Sequence, residues 1–300
     1  MKTPKHLQPG DTIAIVSPSG AINVEYIEAA KEVLKSWGLL AVEGLFARNQ
    51  YFNFAGVDEE RLTDLQNAIN DPNIKAIMCS RGGYGLMKII DQIDLKPLRR
   101  NPKWIIGFSD ITALHNALSK KGICSIHGSM CKHLFESELN KESIPILQKI
   151  LLEDYRPTYT TAYNDYNKNG HAKGRFIGGN LSLIFALQGT PYDLDYKGNI
   201  LFIEDLCEYA YHIDRMMEGL RLSGALSKIK GLVVGQFTDI TNEEKFGKNV
   251  YEIIQSAMRD YDVPILFDFP AGHIDNNMPL IIGNKVELNV NIEGGSLTFL

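Results

Sequence analysis

The first half of the chain alternates short apolar runs with stretches in which apolar residues recur every three or four positions. Runs of the first kind predict buried strands, and the second spacing predicts helices. The predicted strands lie at residues 12–16, 74–79, 104–107 and 123–126, and the predicted helical stripes at residues 26–37, 62–69 and 86–93. Strands that alternate with helices in this way predict an α/β fold with a doubly wound parallel sheet.

The second half has strands and helices of its own. Strands are predicted near residues 174–177, 200–203 and 232–235, and helices near 181–187, 213–222 and 250–261. Residues 286–292 and 297–300 alternate apolar and polar positions around Gly294-Gly295, which predicts an antiparallel hairpin. A polar stretch separates the two halves. We therefore expect an N-terminal domain over residues 1–152, a linker over 153–170 and a C-terminal domain over 171–300.

Composition narrows the class of protein. The 300 residues carry a net charge of −5, without a run of basic residues, so nucleic acid is not the expected partner. No apolar run reaches the length of a membrane span, and the start has no signal-like apolar region. Four scattered cysteines are typical of reduced thiols, so we expect a cytoplasmic protein with no membrane partner.

Ser109 lies at the most informative point of the chain. The apolar run 104–106 leads into Gly107, and a helical spacing begins after Asp110. A buried strand that turns sharply into a helix would leave the Ser109 hydroxyl exposed beside helix-terminal N–H groups, as a nucleophile requires. A serine that simply caps the helix gives the same pattern.

A serine nucleophile needs a base and an acid that orients the base. His273 lies in a loop rich in Gly, Pro and Asn, where it is either a base or a loop cap. The apolar run 200–203 delivers Glu204 to a strand end, which makes Glu204 the preferred orienting acid. Asp205 would serve as the N-cap of the helix that follows it, and Asp275 is an alternative acid that more simply belongs to a turn.

The loop Arg81-Gly82-Gly83-Tyr84-Gly85 follows the strand that ends before Ser80. It lacks the spacing of a dinucleotide fingerprint, and the chain has no phosphate-binding G-x-x-x-x-G-K-[ST] motif, so no nucleotide cofactor is expected. Glycines allow the backbone to approach another segment closely. Gly82 or Gly83 could therefore give an oxyanion N–H opposite that of Asp110; a plain tight turn is the alternative.

The remaining histidines and cysteines suggest no metal. Cys124, His127, Cys131 and His133 do not match the spacing of a common zinc site, and Cys124 falls in an apolar run. His115 falls on the apolar face of the helix after Ser109, where a packed histidine is the ordinary outcome. We expect neither a metal nor another cofactor.

Several segments together are similar to one family. They are Pro9–Ser19, Ser80–Gly85, Gly107-Phe-Ser-Asp110, His127-Gly128, Gly178-Gly-Asn-Leu181, Leu201–Asp205, Ile213-Asp-Arg215 and Gly272-His273. In this order and spacing the chain resembles the LD-carboxypeptidases, which include murein tetrapeptide carboxypeptidases and microcin self-immunity proteins. The resemblance implies an N-terminal domain like the class I glutamine amidotransferases and a C-terminal swivelling β/β/α domain, with the active site where they meet.

The resemblance also implies residue roles and a substrate. Ser109 matches the nucleophile, Glu204 the triad acid and His273 the base. The implied reaction is metal-free cleavage of a murein tetrapeptide between its third residue and terminal D-Ala, by a cytoplasmic homodimer. Arg81 and Tyr84 are the expected substrate contacts, with Arg81 as a carboxylate clamp. Cleavage of a peptidyl or aminoacyl nucleotide, or non-catalytic binding of muropeptides, are the alternatives.

Overall fold

All 300 residues are described by a computed structural model, and they form thirteen strands and ten α-helices. The strands are β1 (Thr12–Val16), β2 (Leu40–Glu43), β3 (Ile74–Cys79), β4 (Trp104–Gly107), β5 (Ser125–His127), β6 (Thr158–Ala162), β7 (Gly170–Asn180), β8 (Ile200–Leu206), β9 (Gly231–Thr238), β10 (Ile265–Leu266), β11 (Leu280–Ile282), β12 (Lys285–Asn291) and β13 (Gly294–Phe299). The helices are α1 (Val24–Ser36), α2 (Asp58–Asn70), α3 (Lys96–Arg100), α4 (Thr112–Lys120), α5 (Cys131–Phe135), α6 (Ser143–Leu152), α7 (Leu181–Ala186), α8 (Ala210–Leu222), α9 (Glu243–Phe246) and α10 (Val250–Met258).

Five parallel strands and one antiparallel strand make the first sheet, in the order β11-β5-β4-β3-β1-β2. Strands β3 and β4 are almost wholly buried, as their continuous apolar sequences predict. The parallel arrangement predicted for the N-terminal half is confirmed for β1 to β5. Because these strands run in one direction, their carboxyl ends lie along one edge of the sheet, where Ser17, Ser80 and His127 are found.

The second sheet has seven strands in the order β10-β9-β8-β7-β12-β13-β6. Strands β7 to β10 are parallel, and β12, β13 and β6 extend the sheet in antiparallel fashion from β7. The predicted hairpin is confirmed, since Val286 pairs with Phe299 and Asn291 with Gly294. Buried side chains of α7, α8 and α10 pack with those of β7, β8 and β9 in one apolar core. This core holds β8 rigidly, which matters because Glu204 lies on it.

Each of two compact units is built from two separate stretches of chain. The first comprises Met1–Tyr155 with Asp275–Ile282, and the second comprises Arg156–Ile274 with Gly283–Leu300. Residues 153–170, which the sequence suggests as a linker, contain β6, an edge strand paired with β13. Tyr159 is the only buried residue of β6, and the strand is otherwise mostly polar. The sequence of β6 therefore resembles that of a linker. The segment Asp275–Ile282 belongs to the first unit because β11 pairs with β5.

The helix predicted over residues 86–93 is wrong. Two short 3₁₀ helices, Leu86–Lys88 and Ile90–Gln92, occupy this stretch. Ile89 between them has φ −120° and ψ −6°, which ends one helical turn before the next begins. Leu86 and Ile90 are buried, so the apolar spacing reflects burial without a continuous helix.

No helix of the chain combines the length and the apolar character that crossing a membrane requires. The cytoplasmic location and the homodimer both stay predictions.

Candidate active site

Ser109 occupies a sharp corner between a buried strand and a helix. Strand β4 ends at Gly107, a 3₁₀ turn begins at Ser109, and α4 follows from Thr112. Ser109 itself is half-buried and has φ +64°, a left-handed conformation that is costly for a residue with a side chain. The sharp strand-to-helix turn predicted from the sequence is therefore present. Such strained corners hold a nucleophile clear of its sheet.

The glycine loop lies directly against this corner. A Cβ atom at Gly82 would lie 2.7 Å from the Ser109 Cβ and 3.0 Å from its Oγ, so only glycine fits. Gly83 has φ +105°, and the Gly20 N–H donates to the Gly82 carbonyl oxygen at 3.0 Å. The sequence predicted that glycine would let this loop approach another segment closely, and that segment is the corner at Ser109. The nearness of Gly82 supports a role for this loop beside the nucleophile.

Asp110, the residue after Ser109, is buried and bonded to the same glycine loop. Its Oδ2 accepts the Leu86 N–H at 2.9 Å. Burial raises the pKa of Asp110, while the Ser19 hydroxyl, the N–H groups of Leu86 and Gly85, and the Arg61 charge oppose that rise. Asp110 therefore contributes a buried, hydrogen-bonded side chain to this corner as well as its backbone N–H.

His273 and Glu204 form a close pair within the second unit. The imidazole Nδ1 lies 2.7 Å from Glu204 Oε2, and the Glu204 side chain has no exposed surface whereas that of His273 is 15% exposed. Donation from Nδ1–H to the carboxylate selects the tautomer whose Nε2 carries a lone pair, as a base requires. Gly272, at φ +136°, makes room, since a Cβ there would lie 3.3 Å from Glu204 Oε2.

The other two acids considered from the sequence lie elsewhere. Asp275 is exposed and belongs to the first unit. Asp205 is buried, and its carboxylate accepts from Asn180 Nδ2 at 2.9 Å and from the Ser182 N–H at 2.8 Å. It thus caps α7, which precedes it in the chain, whereas the sequence suggested the helix that follows. Burial, together with the neighbouring Glu204 charge, raises the pKa of Asp205 to about 7.

Arg81 and Tyr84 are both exposed on the glycine loop. Arg81 Nη1 donates to the Ala21 carbonyl oxygen at 2.8 Å. The Tyr84 ring lies 5.9 Å from that of Phe54. Their exposure is compatible with substrate binding, which stays a prediction.

The histidines and cysteines near β5 make packing and hydrogen-bond contacts. The rings of His127 and His133 lie 5.4 Å and 5.2 Å from that of Phe108. His115 is fully buried, as expected, with Nε2 2.8 Å from the Gly107 carbonyl oxygen and Nδ1 2.8 Å from Ser125 Oγ. Burial lowers the pKa of His115 to about 4, so this side chain is neutral at pH 7 and supports the end of β4.

Sequence reasoning missed Arg61, a buried arginine close to the glycine loop. Its Nη1 donates to the Pro18 carbonyl oxygen at 2.7 Å, and its guanidinium stacks on Phe54. The predicted stripe placed Leu62 on the buried face of α2. Arg61 takes that position instead, four residues before the buried Leu65. A charged residue in register with a buried stripe is the signal that could have identified it.

Both halves of the chain match one family. Residues 13–128 match the LD-carboxypeptidase N-terminal domain, and residues 173–288 match the LD-carboxypeptidase C-terminal domain. A Bacillus subtilis protein that bears the name "probable murein peptide carboxypeptidase" is 32% identical over 294 residues, which cover 95% of this chain and 91% of that protein.

Two solved structures are similar over nearly the whole chain. The muramoyltetrapeptide carboxypeptidase from Oxalobacter formigenes is 28% identical with a TM-score of 0.87, and the match covers 96% of this chain and 98% of that one. A microcin C7 self immunity protein in complex with adenosine monophosphate is 22% identical with a TM-score of 0.88, over 99% of this chain and 97% of that one. At 22% identity, the similarity to this second structure shows that the two chains share a fold.

Proposed function

Because the chain belongs to the LD-carboxypeptidase family, we propose that it is a serine carboxypeptidase that removes the terminal D-Ala from murein tetrapeptides. The bond is the amide after the third residue, meso-diaminopimelate or L-Lys. The observation that carries the proposal is the left-handed conformation of Ser109 on a strand-to-helix corner, with Gly82 packed against it. The names of the Bacillus and Oxalobacter proteins support the choice of substrate.

In the proposed reaction the Ser109 Oγ attacks the carbonyl carbon and His273 accepts its proton. Glu204 holds the imidazole in the required tautomer and stabilises the imidazolium that forms. The N–H of Asp110, with that of Gly82 or Gly83, holds the negative charge on the substrate oxygen. His273 then protonates the departing amine, and water hydrolyses the ester on Ser109. No step of this scheme uses a metal ion.

Arg81 is the proposed partner of the terminal carboxylate of the substrate. A guanidinium offers paired N–H donors that match a carboxylate, and Arg81 is exposed on the loop that packs against Ser109. Tyr84 is exposed on the same loop and would contact the peptide. Arg81→Met is expected to raise KM more than it lowers kcat, because binding to a carboxylate remote from the reacting atoms is mostly uniform.

The direct test is to incubate the protein with L-Ala-γ-D-Glu-meso-diaminopimelyl-D-Ala in the presence of a chelator and follow the mass. The wild type is expected to release one alanine and Ser109→Ala none. Ser119→Ala, on α4 and half-buried, is the matched control and should keep full activity. Alanine release by Ser109→Ala would overturn the nucleophile assignment.

A second candidate is hydrolysis of a peptidyl or aminoacyl nucleotide. One observation favours it: the exposed rings of Tyr209 and Tyr211, just beyond the strand that carries Glu204, lie 5.6 Å apart at an angle of 30°. Exposed aromatic faces of this kind stack on bases. If the folded wild type leaves the tetrapeptide intact and cleaves an aminoacyl adenylate analogue, this candidate replaces the first.

A further inference from the structure

The Asp110 side chain joins the nucleophile corner to the glycine loop. Its Oδ2 accepts the N–H of Leu86, which closes that loop, at 2.9 Å. The Gly85 N–H and the Ser19 hydroxyl lie near this carboxyl group and favour its ionised form. Asp110 is 1% exposed, so water cannot replace these donors. One buried carboxyl group therefore connects the residue after Ser109 to the two loops around it.

Arg61 places a buried positive charge beside the same loops. Its Nη1 bonds to the Pro18 carbonyl oxygen, and its Nη2 bonds to Asp58. A Cβ at Gly85 would lie 2.6 Å from Arg61 Nη1, so the loop backbone lies directly on the guanidinium. The Arg61 charge acts on the Asp110 carboxyl group and favours its ionised form. A buried arginine is costly unless its charge is compensated.

We infer that Asp110 is a positioning residue: through the N–H of Leu86, its side chain holds the end of the glycine loop, Arg81–Gly85, at the distance from Ser109 that oxyanion binding requires. The inference rests on the proposed function, in which both oxyanion donors flank Ser109. One donor belongs to the Asp110 backbone, and the Asp110 side chain holds the loop that carries the other. A small movement of this loop would leave ground-state binding intact and weaken binding of the transition state.

Asp110→Asn tests this role because it keeps the shape and the backbone N–H while removing the charge. We expect kcat on the tetrapeptide to fall about 10²-fold with KM within about threefold of wild type. Hydrogen exchange of the amides in residues 82–86 should accelerate at least about tenfold. A kcat within threefold of wild type, or unchanged exchange in this loop, would overturn the inference.

Asp64→Asn is the matched control. Asp64 is 4% exposed, lies in the same unit and accepts the Phe46 N–H at 2.8 Å, so the substitution removes the charge from the same kind of buried acceptor. It should lower the unfolding temperature without changing kcat or the exchange of residues 82–86. If it lowers kcat as much as Asp110→Asn does, the effect is general destabilisation and positioning is refuted.

Ser19→Ala is the second variant, for the case in which Asp110→Asn does not fold. Removing this hydroxyl should lower kcat about threefold to tenfold and accelerate exchange in residues 82–86 less than the asparagine variant would. Unchanged kcat and exchange would refute the inference. The exchange readout needs no turnover: a wild type that does not cleave the tetrapeptide contradicts the proposed function, while accelerated exchange in the variants still supports the positioning role.

Discussion

The corner at Ser109 and the pair formed by Glu204 and His273 are built by different means. At Ser109 the backbone carries the arrangement, through a φ of +64° and the close approach of Gly82. In the second unit side chains carry it, through a 2.7 Å bond between a fully buried carboxylate and a partly exposed imidazole. The first region should therefore be sensitive to any added atom, whereas the second should depend above all on the charge of Glu204.

Ser109 substitutions should have the largest effect and should separate chemistry from strain. Ser109→Ala and Ser109→Gly are both expected to lower kcat at least about 10⁴-fold, because the nucleophile is lost. The glycine variant should be more stable than the alanine variant by about 1 kcal/mol, since glycine adopts a positive φ without strain. Denaturant unfolding measures the difference. Equal stability of the two variants would show that the corner stores no strain.

Glu204→Gln should show how far the second region depends on charge. The shape is kept, but the amide no longer stabilises the imidazolium, so kcat should fall about 10³-fold with KM nearly unchanged. Glu208→Gln is the control, because Glu208 Oε2 makes an equal 2.7 Å contact with His212 Nδ1 outside the proposed triad. Steady-state kinetics of both variants decide the point. A similar loss in the two would contradict the special role of Glu204.

Gly82→Ala should show that the first region depends on shape, in contrast to the dependence on charge in the second region. The new Cβ would lie 2.7 Å from that of Ser109, so the loop or the corner must move, and kcat should fall about 10²-fold. Gly10→Ala is the comparison variant, since Gly10 has φ +87° with open space around it and its substitution should cost stability only. Retained activity in Gly82→Ala would show that the loop adapts freely.

The smallest expected effect is on the pH dependence of stability, which should have opposite signs in the two regions. His115 has a folded pKa of about 4, below its unfolded value, so its contribution is lost as pH falls from about 6.5 to 4. Asp205 has a folded pKa of about 7, above its unfolded value, so its contribution is lost as pH rises from about 4 through 7. Over the shared range the two contributions oppose each other.

Single variants should expose each contribution. His115→Gln should become less stable as pH rises from 4.5 to 7, and Asp205→Asn less stable as pH falls over the same range, each by about 2–3 kcal/mol. Urea unfolding at several pH values measures both slopes. Parallel slopes in the two variants would contradict the assignment of the two groups.

The sequence predicted most of what depends on local patterns. The strand-to-helix corner at Ser109, the strands β1, β3, β4 and β5, and the final hairpin follow from spacing, glycine positions and apolar runs. These features are local because each is determined by residues that are neighbours in the chain. The roles of Ser109, Glu204 and His273 stay predictions until their variants are measured.

Features set by distant residues could not be predicted in this way. Strand β11 has only three residues, and nothing in its sequence specifies β5, more than 150 positions earlier, as its partner. Strand β6 is polar because it lies at an edge, so its pairing leaves no apolar signature. The bond between Asp110 and Leu86 likewise joins segments that have no local relation in the sequence.

The order in which the two units are threaded has a consequence for synthesis on the ribosome. The first sheet receives its sixth strand, β11, only after nearly all of the second unit has been translated. Until then β5 is an open edge, which nascent chains must keep from mispairing. A chain that terminates before residue 280 would lack β11 of the first sheet and the β12–β13 hairpin of the second. Because both units would be incomplete, release of a folded partial product is disfavoured.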